Sequence, residues 1–262
     1  MAVDAVDLVG PHGAARRLVM RRWLRPGWEA EGPEFTAAHE AAVLDRLAPT
    51  DVPAPRLVAV DPDGTRAGVP ALLMTHVDGR RVSARDEARP GVIGEMAAVL
   101  ARIHRLDGGV MAVAAPFRPY YEHDEFRIPT ATRQPSLWQR ALERTERGPA
   151  AATTCFLHRD FHPGNTIWQR GHLAGVVDWT SASWGPAATD LAHWRANIGT
   201  RHGIETADRI LTAYAAETGD VPRDQAWWDV RMLLDFIDEP GALNGEPLTA
   251  LEAYLADLLT RT

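Results

Sequence analysis

One run in the second half of the chain, from His158 to Trp179, constrains the fold more than any other; it reads HRDFHPGNTIWQRGHLAGVVDW. Thr166 to Trp168 is β-branched and aromatic, Gln169 to His172 carries the polar residues and glycine of a turn, and Leu173 to Val177 is apolar. Such a pattern predicts two short strands joined tightly. A hairpin brings the chain back to where it started. Asn165, just before the first strand, and Asp178, just after the second, therefore meet at one end, and the loop shaped by Pro163 and Gly164 delivers Asp160 beside them.

Three oxygen-bearing side chains in that order suit one chemistry. Phosphoryl transfer from a magnesium nucleotide needs a carboxylate beside the acceptor hydroxyl and hard oxygen ligands for the metal. His158, Arg159, Asp160 and Asn165 stand at the spacing H-R-D-x-x-x-x-N, and Asp178 stands where a metal-binding aspartate follows, with Trp179 in place of the usual Phe. Asp160 is the candidate catalytic residue, and Asn165 and Asp178 are the candidate Mg²⁺ ligands. An Asp and an Asn at this spacing alone would read as a solvated turn; the HPGN run, the hairpin and GVVDW together set this stretch apart.

HRDFHPGN, GVVDW and the following WGPAATDLA resemble the aminoglycoside phosphotransferase family, small-molecule kinases related in fold to protein kinases and choline kinases. The resemblance covers most of the chain. It implies that Asp160 is the catalytic base, that Asn165 and Asp178 hold Mg²⁺, that His158 supports the loop, and that Asp190 is a buried anchor bonding back to it. The implied fold class is α+β: a two-lobed protein-kinase-like architecture with a small N-terminal sheet lobe and one helix (residues 1–74), a hinge (75–79), and a larger, mainly helical lobe (80–262). ATP or GTP is expected between the lobes.

Upstream, Gly10 and Gly13 lie in a turn before an apolar strand-like segment from Leu18 to Trp23, where they are candidates to cover phosphates. Ordinary hairpins use such glycines too. Kinases place a lysine on this strand, paired with a helix glutamate, yet the sequence contains no lysine at all. By alignment of LVMR, Arg21 takes its position, with Arg22 on the opposite face of a regular strand. An arginine fork suits phosphate geometry but is not a compact point charge. The periodicity predicts a helix over residues 34–48, with Glu40 the favoured partner of Arg21 and Glu34 the second choice. The run VDPDGTRAGVPALLM then reads as a hairpin. By the resemblance, Thr75, His76 and Val77 offer backbone groups to the nucleotide base, and Gly79 breaks the strand.

Residues 90–106 carry Ile93, Met96, Ala97, Leu100 and Ile103 at helical spacing, the first core helix of the larger lobe. Residues 120–147 read as a polar insertion ending in a helix. Further helices are expected over 204–217, 223–238 and 248–259, forming an acceptor-side wall on which Asp235, Asp238 and Glu239 are candidates for binding substrate ammonium groups.

The net charge is −7, and from Thr200 onward 5 Arg face 12 Asp and Glu, so the acidity lies in the last quarter. That balance argues against a nucleic-acid partner and favours a cationic acceptor, although solvated helices would show it as well. No apolar run approaches the roughly 20 residues needed to span a bilayer, and the first residues carry acids where a signal peptide carries bases, so a cytoplasmic protein without a membrane partner is expected. Cys155, the single cysteine, reads as packing. His104, His158, His162, His172, His193 and His202 invite a zinc site, but the absence of thiol partners and of a helix-borne H-E-x-x-H pattern argues against it. Trp184, Trp194, Trp227 and Trp228 read as packing.

The expected activity is transfer of a γ-phosphate to a hydroxyl of a small molecule, foremost an aminoglycoside-type cationic antibiotic, as in resistance. The alternatives are a metabolic kinase for an amino alcohol or sugar, and a nucleotide-binding pseudokinase, which the missing lysine suggests.

Overall fold

Strand β1 (Ala2–Val9) pairs antiparallel with β2 (Ala15–Arg22) along its length, from Ala2 opposite Arg22 to Val9 opposite Ala15. The computed structural model describes residues 1–9, 15–25, 27, 35–106, 108–119, 122–149, 153–237 and 244–261. Gly10, Gly13, Glu34, Asp238 and Glu239, singled out from the sequence, lie outside the described residues. β1 was not foreseen as a strand. Most of its side chains are exposed, so no buried face marks it in the sequence.

Helix α1 (Ala37–Leu47) starts where Thr36 accepts the amide hydrogen of His39 through its hydroxyl, a side-chain cap. It packs Val43, Leu44 and Leu47 inward against the sheet, which is completed by β3 (Leu57–Asp61) and β4 (Ala71–Thr75) in the order β1-β2-β4-β3. Arg21 faces Leu72 in the β2–β4 register. The turn between β3 and β4 is closed by Asp61, whose carboxylate accepts the backbone N–H groups of Thr65, Arg66 and Ala67.

Beyond residues 75–79 come the two-residue β5 (Arg80–Arg81), helix α2 (Pro90–His104), the short α3 (Gly108–Met111) and β6 (Ala115–Pro116). Proline opens α2 at a position where its missing N–H costs nothing. Gly79 adopts φ +139°, and a Cβ there would fall 2.4 Å from the carbonyl oxygen of Trp168, so glycine lets β5 approach its partner.

Helix α4 (Pro135–Thr145) precedes β7 (Thr154–Leu157) and the expected hairpin, β8 (Thr166–Gln169) with β9 (His172–Val176). Gln169 faces His172 across a two-residue turn in which Arg170 and Gly171 have φ of +53° and +88°. That backbone matches the right-handed twist of paired strands. β5 joins β8, forming the sheet order β5-β8-β9, while β10 (Ser183–Pro186) runs between β6 and β7. Helix α5 (Ala188–His202) comes next, unforeseen in the sequence, and α6 (Ile204–Thr218), α7 (Gln225–Asp235) and α8 (Gly245–Thr260) follow within a few residues of the sequence expectation.

The α+β class holds. One apolar cluster runs unbroken from Trp23, Leu44 and Leu72 of the N-terminal sheet through Met96 and Leu100 of α2 to Phe161, Trp179 and Trp194 around the hairpin. A second joins α4, α5, α7 and α8 through Trp138, Ala192, Leu233 and Leu255. Trp194 and Trp228 are buried as packing residues. No helix among the described residues is long and apolar enough to cross a membrane.

Candidate active site

The loop after β7 is held from behind by Asp190 in the first turn of α5. One carboxylate oxygen accepts the N–H of His158 at 2.9 Å and the other accepts that of Arg159 at 2.6 Å. His104 of α2 adds Nε2 at 3.1 Å from Asp190 Oδ2, and its other nitrogen meets the Tyr214 hydroxyl at 2.7 Å. Asp190 and His158 are both fully buried. Arg159 adopts φ +70°, a left-handed conformation that costs a non-glycine residue roughly 1–3 kcal/mol and that the paired amides hold in place. This reversal turns Asp160 outward. His158 Nε2 meets the Val177 carbonyl at 3.0 Å, joining the loop to the strand that carries Asp178.

Asn165 closes the loop. Its side-chain nitrogen donates to Asp160 Oδ2 at 2.8 Å and to the Asp160 carbonyl at 3.0 Å, while its own carbonyl accepts the Val177 amide at 2.9 Å. Between them, His162 caps the 3₁₀ turn Pro163–Asn165 by accepting the Gly164 amide hydrogen on Nδ1. A Cβ on Gly164 would lie 2.5 Å from the His162 ring, so the glycine of HPGN makes room for that imidazole.

Arg21 is 5% exposed, and its Nη1 donates to Asp178 Oδ1 at 2.6 Å, lies 3.2 Å from Glu40 Oε2, and touches the Thr180 hydroxyl. The pairing of Arg21 with Glu40 is therefore present, and Asp178 is its second partner. Burial pushes the Glu40 carboxyl up, to about 7, against the pull of Arg21. Asp178 itself has φ +70° and leaves its side chain 35% exposed.

The donor set fits a hard divalent cation. Asn165 spends its amide nitrogen on Asp160 and so turns its carbonyl oxygen away; Arg21 and Thr180 bond Oδ1 of Asp178, leaving Oδ2. Two oxygen donors joined through the Asn165–Val177 bond suit Mg²⁺, which is bound by one or two protein oxygens together with phosphates and water.

A second constellation surrounds the other side of Asp160. His193 Nε2 is 3.0 Å from Asp160 Oδ1, and His162 Nε2 is 3.6 Å from it. These three residues are the one cluster of metal-ligand type among the described residues. Tautomer chemistry speaks against a metal there. With Nδ1 accepting from Gly164, the neutral His162 ring carries its proton on Nε2 and offers no lone pair to the cluster. Burial holds His162 neutral, with a pKa of about 4. Asp160 would be raised by burial, but the His193 hydrogen bond and the neighbouring imidazoles outweigh it and hold the carboxyl at about 2.

Sequence reasoning named His193 and His104 only as zinc candidates to be set aside, and did not name Thr180. His193 lies three residues past Asp190 on the same helix face, which was a usable signal. One expectation is corrected. Asp235, taken as a site for substrate ammonium groups, is 9% exposed and accepts Arg231 Nη1 at 2.5 Å, so its charge is already spent within α7. Thr75 ends β4 with its amide bonded to the Arg56 carbonyl at 2.9 Å. His76 pairs with Asp78, and Val77 packs on Gly175, where a Cβ would meet the valine at 2.8 Å. Cys155 is half-buried, and burial pushes its thiol far up, as expected of a packing residue.

No curated protein sequence matches the chain. Among solved structures, it is similar over 99% of its length to 93% of a protein from Ralstonia eutropha JMP134 assigned provisionally to the aminoglycoside phosphotransferases, with 16% identity and a TM-score of 0.68. It is similar over 95% of its length to 88% of the macrolide 2′-phosphotransferase MphH of Brachybacterium faecium, with 20% identity and a TM-score of 0.63. A thermostable aminoglycoside phosphotransferase APH(4)-Ia variant, bound to ADP and hygromycin B, matches 98% of this chain over 93% of its own, at 13% identity and a TM-score of 0.63. At these identities the likeness establishes the protein-kinase-like fold. The profile of the phosphotransferase enzyme family (APH) matches residues 8–227, most of the sequence, and the chain belongs to that family.

Proposed function

We propose that this phosphotransferase moves the γ-phosphate of ATP or GTP, with Mg²⁺, to a hydroxyl group of a small molecule. The observation that carries the reading is the Asp160 carboxylate: it is 33% exposed, fixed through one oxygen to Asn165 and through the other to His193, and so aimed without being consumed. Each oxygen keeps a lone pair for an incoming hydroxyl. A carboxyl held near 2 is too weak a base to ionise an alcohol beforehand. It orients the hydroxyl and takes the proton late, which suits a loose transition state that demands little of the nucleophile.

The nucleotide would lie between the segment 1–74 and the segment 80–262, with the base against the backbone of His76 and Val77, since the Thr75 amide is already bonded. All described contacts of the Arg21 guanidinium pass through Nη1, leaving Nη2 for a phosphate oxygen in place of the usual lysine. Asn165 and Asp178 would hold Mg²⁺, which when bound offsets phosphate charge. Asp190, His104 and His158 keep the loop in register.

An aminoglycoside-type cationic antibiotic is the leading acceptor class, supported by the family, by the likeness to a hygromycin B-bound structure and by the acidic last quarter of the chain. Asp235, spent on Arg231, gives that class no ammonium site, so macrolides, amino alcohols and sugars belong in the same screen as the alternatives. The pseudokinase reading rests on Arg21 alone. Incubating the protein with Mg²⁺, ATP or GTP, and a library of hydroxyl compounds, then scanning by mass spectrometry for one added phosphate, tests activity and acceptor together. Absence of any phosphorylated product and of any nucleotide turnover would remove the enzyme reading.

A further inference from the structure

The proposed chemistry needs Asp160 aimed at the acceptor, and the family motif accounts for only one of its two anchors. Asn165 grips Oδ2 at 2.8 Å. Oδ1 is gripped from α5, outside the loop, by His193 Nε2 at 3.0 Å. His162, at 3.6 Å, stands beyond hydrogen-bond reach and is occupied as a cap.

The state of the His193 ring follows from its surroundings. Nδ1 is buried and has no partner among the described residues, and the ring packs against Phe236 with centroids 5.4 Å apart. Nδ1 meets no acceptor among the described residues, so the N–H through which this ring acts is the one on Nε2, which points to the carboxylate. Burying one nitrogen unsatisfied is unfavourable, and an apolar side chain would fill the same space without that cost. What the imidazole adds is the donor. It stands three residues from Asp190, so one face of α5 holds the backbone of His158 and Arg159 and also the side chain of Asp160.

We propose that His193 is a positioning residue for phosphoryl transfer, fixing the rotamer of the Asp160 carboxylate through its Nε2–H hydrogen bond. The inference rests on the phosphotransfer reading of Asp160 and adds to it a specific second anchor. Misplacing a reacting group by about 1 Å costs on the order of 100-fold in rate, and loss of one of two anchors leaves a milder defect of about 10–100-fold.

The test compares His193→Leu, which keeps bulk and removes the donor, with His193→Gln, whose amide nitrogen reaches a similar place. Magnesium-dependent ATP hydrolysis serves as the probe, with ADP affinity as a control for folding and nucleotide binding. His193→Leu is expected to lower kcat by about 10–100-fold at nearly unchanged KM for ATP, and His193→Gln to recover most of the loss. A Leu variant with wild-type kcat, or a Gln variant as impaired as Leu, would overturn the proposal. If the wild type itself turns over no nucleotide, the phosphotransfer reading is what fails. Crystal structures of the wild type and of His193→Leu then decide the positioning claim, because an Asp160 carboxylate left in its wild-type rotamer by the Leu variant refutes it.

Discussion

Helix α5 carries charge on two sides, and the two sides follow opposite rules. On one, Asp190 and His193 hold the loop that presents Asp160, whose side chain stays 33% exposed. On the other, Arg195 donates Nε to both oxygens of Asp229 at 3.1 Å, Nη1 to the Ala207 carbonyl, and Nη2 to Asp208, while Gln225 bonds Asp229 again. The Arg195 and Asp229 side chains are each 3% exposed. A closed network spends its donors internally and ties α5, α6 and α7 together. An open one leaves carboxylate oxygens facing solvent. Partial exposure of a rigidly held carboxylate separates a site from a staple better than the number of charges does.

Replacing the open carboxylate should show the larger effect on chemistry. Asp160→Ala is expected to lower phosphoryl transfer by about 10²–10⁴-fold, the usual contribution of a positioned acid or base, with the unfolding midpoint little changed. Steady-state turnover alongside thermal melts checks both halves. A variant that melts early instead would place Asp160 in the same class as Asp229.

For the closed network the order reverses. Asp229→Ala strands Arg195 in the interior and should cost about 3–5 kcal/mol of stability. Chemical denaturation measures it. Per folded molecule, nucleotide turnover should stay near wild type, and a large fall in kcat without a fall in stability would break the contrast.

Acid sharpens the comparison from another side. Burial lowers His162 from 6.5 to about 4. Unfolded chains bind that proton below about 6.5 while the folded state resists until about 4, so the stabilising contribution is complete above the upper value and fades as pH falls through the window. Asp160, held at about 2 against 3.8, adds a loss lower still, below pH 4. Between pH 6.5 and 4 the His162 contribution should fall by about 1–3 kcal/mol, and His162→Asn should flatten that part of the stability profile. An unchanged profile would mean that the imidazole is not buried neutral in solution.

Much of this site was legible because it is local. Asp160, Asn165 and Asp178 belong to one loop and hairpin, and the strand–turn–strand reading of residues 166–177 brings them to one end. Arg21 was found by aligning LVMR with the strand on which the resembling kinases carry a lysine, and Glu40 as the glutamate of the predicted helix that would pair with it. The role of His193 was missed because its meeting with Asp160 depends on how α5 packs behind the loop, a tertiary fact with only a weak trace in the spacing from Asp190. Asp235 misled for the same reason: its partner Arg231, four residues away, was visible in the sequence, but burial of the pair was not. Strand β1 was missed because an exposed edge strand carries little apolar alternation.

The smallest effect belongs to the far end of the hairpin. Glu95 of α2 accepts the Leu173 amide at 2.7 Å and meets His172 Nδ1 at 3.0 Å, pinning the hairpin away from the Asp160 loop. Its side chain is 36% exposed, so solvent replaces part of what is lost. Glu95→Ala should cost about 0.5–1.5 kcal/mol, the net value of an ordinary hydrogen bond. Turnover should change by less than about twofold, because Asn165 and His158 hold the other end of the hairpin through Val177. A Glu95→Ala variant whose kcat falls as far as that of His193→Leu would show that the hairpin moves as one rigid lever. The division between a locally fixed site and its supporting frame would then give way.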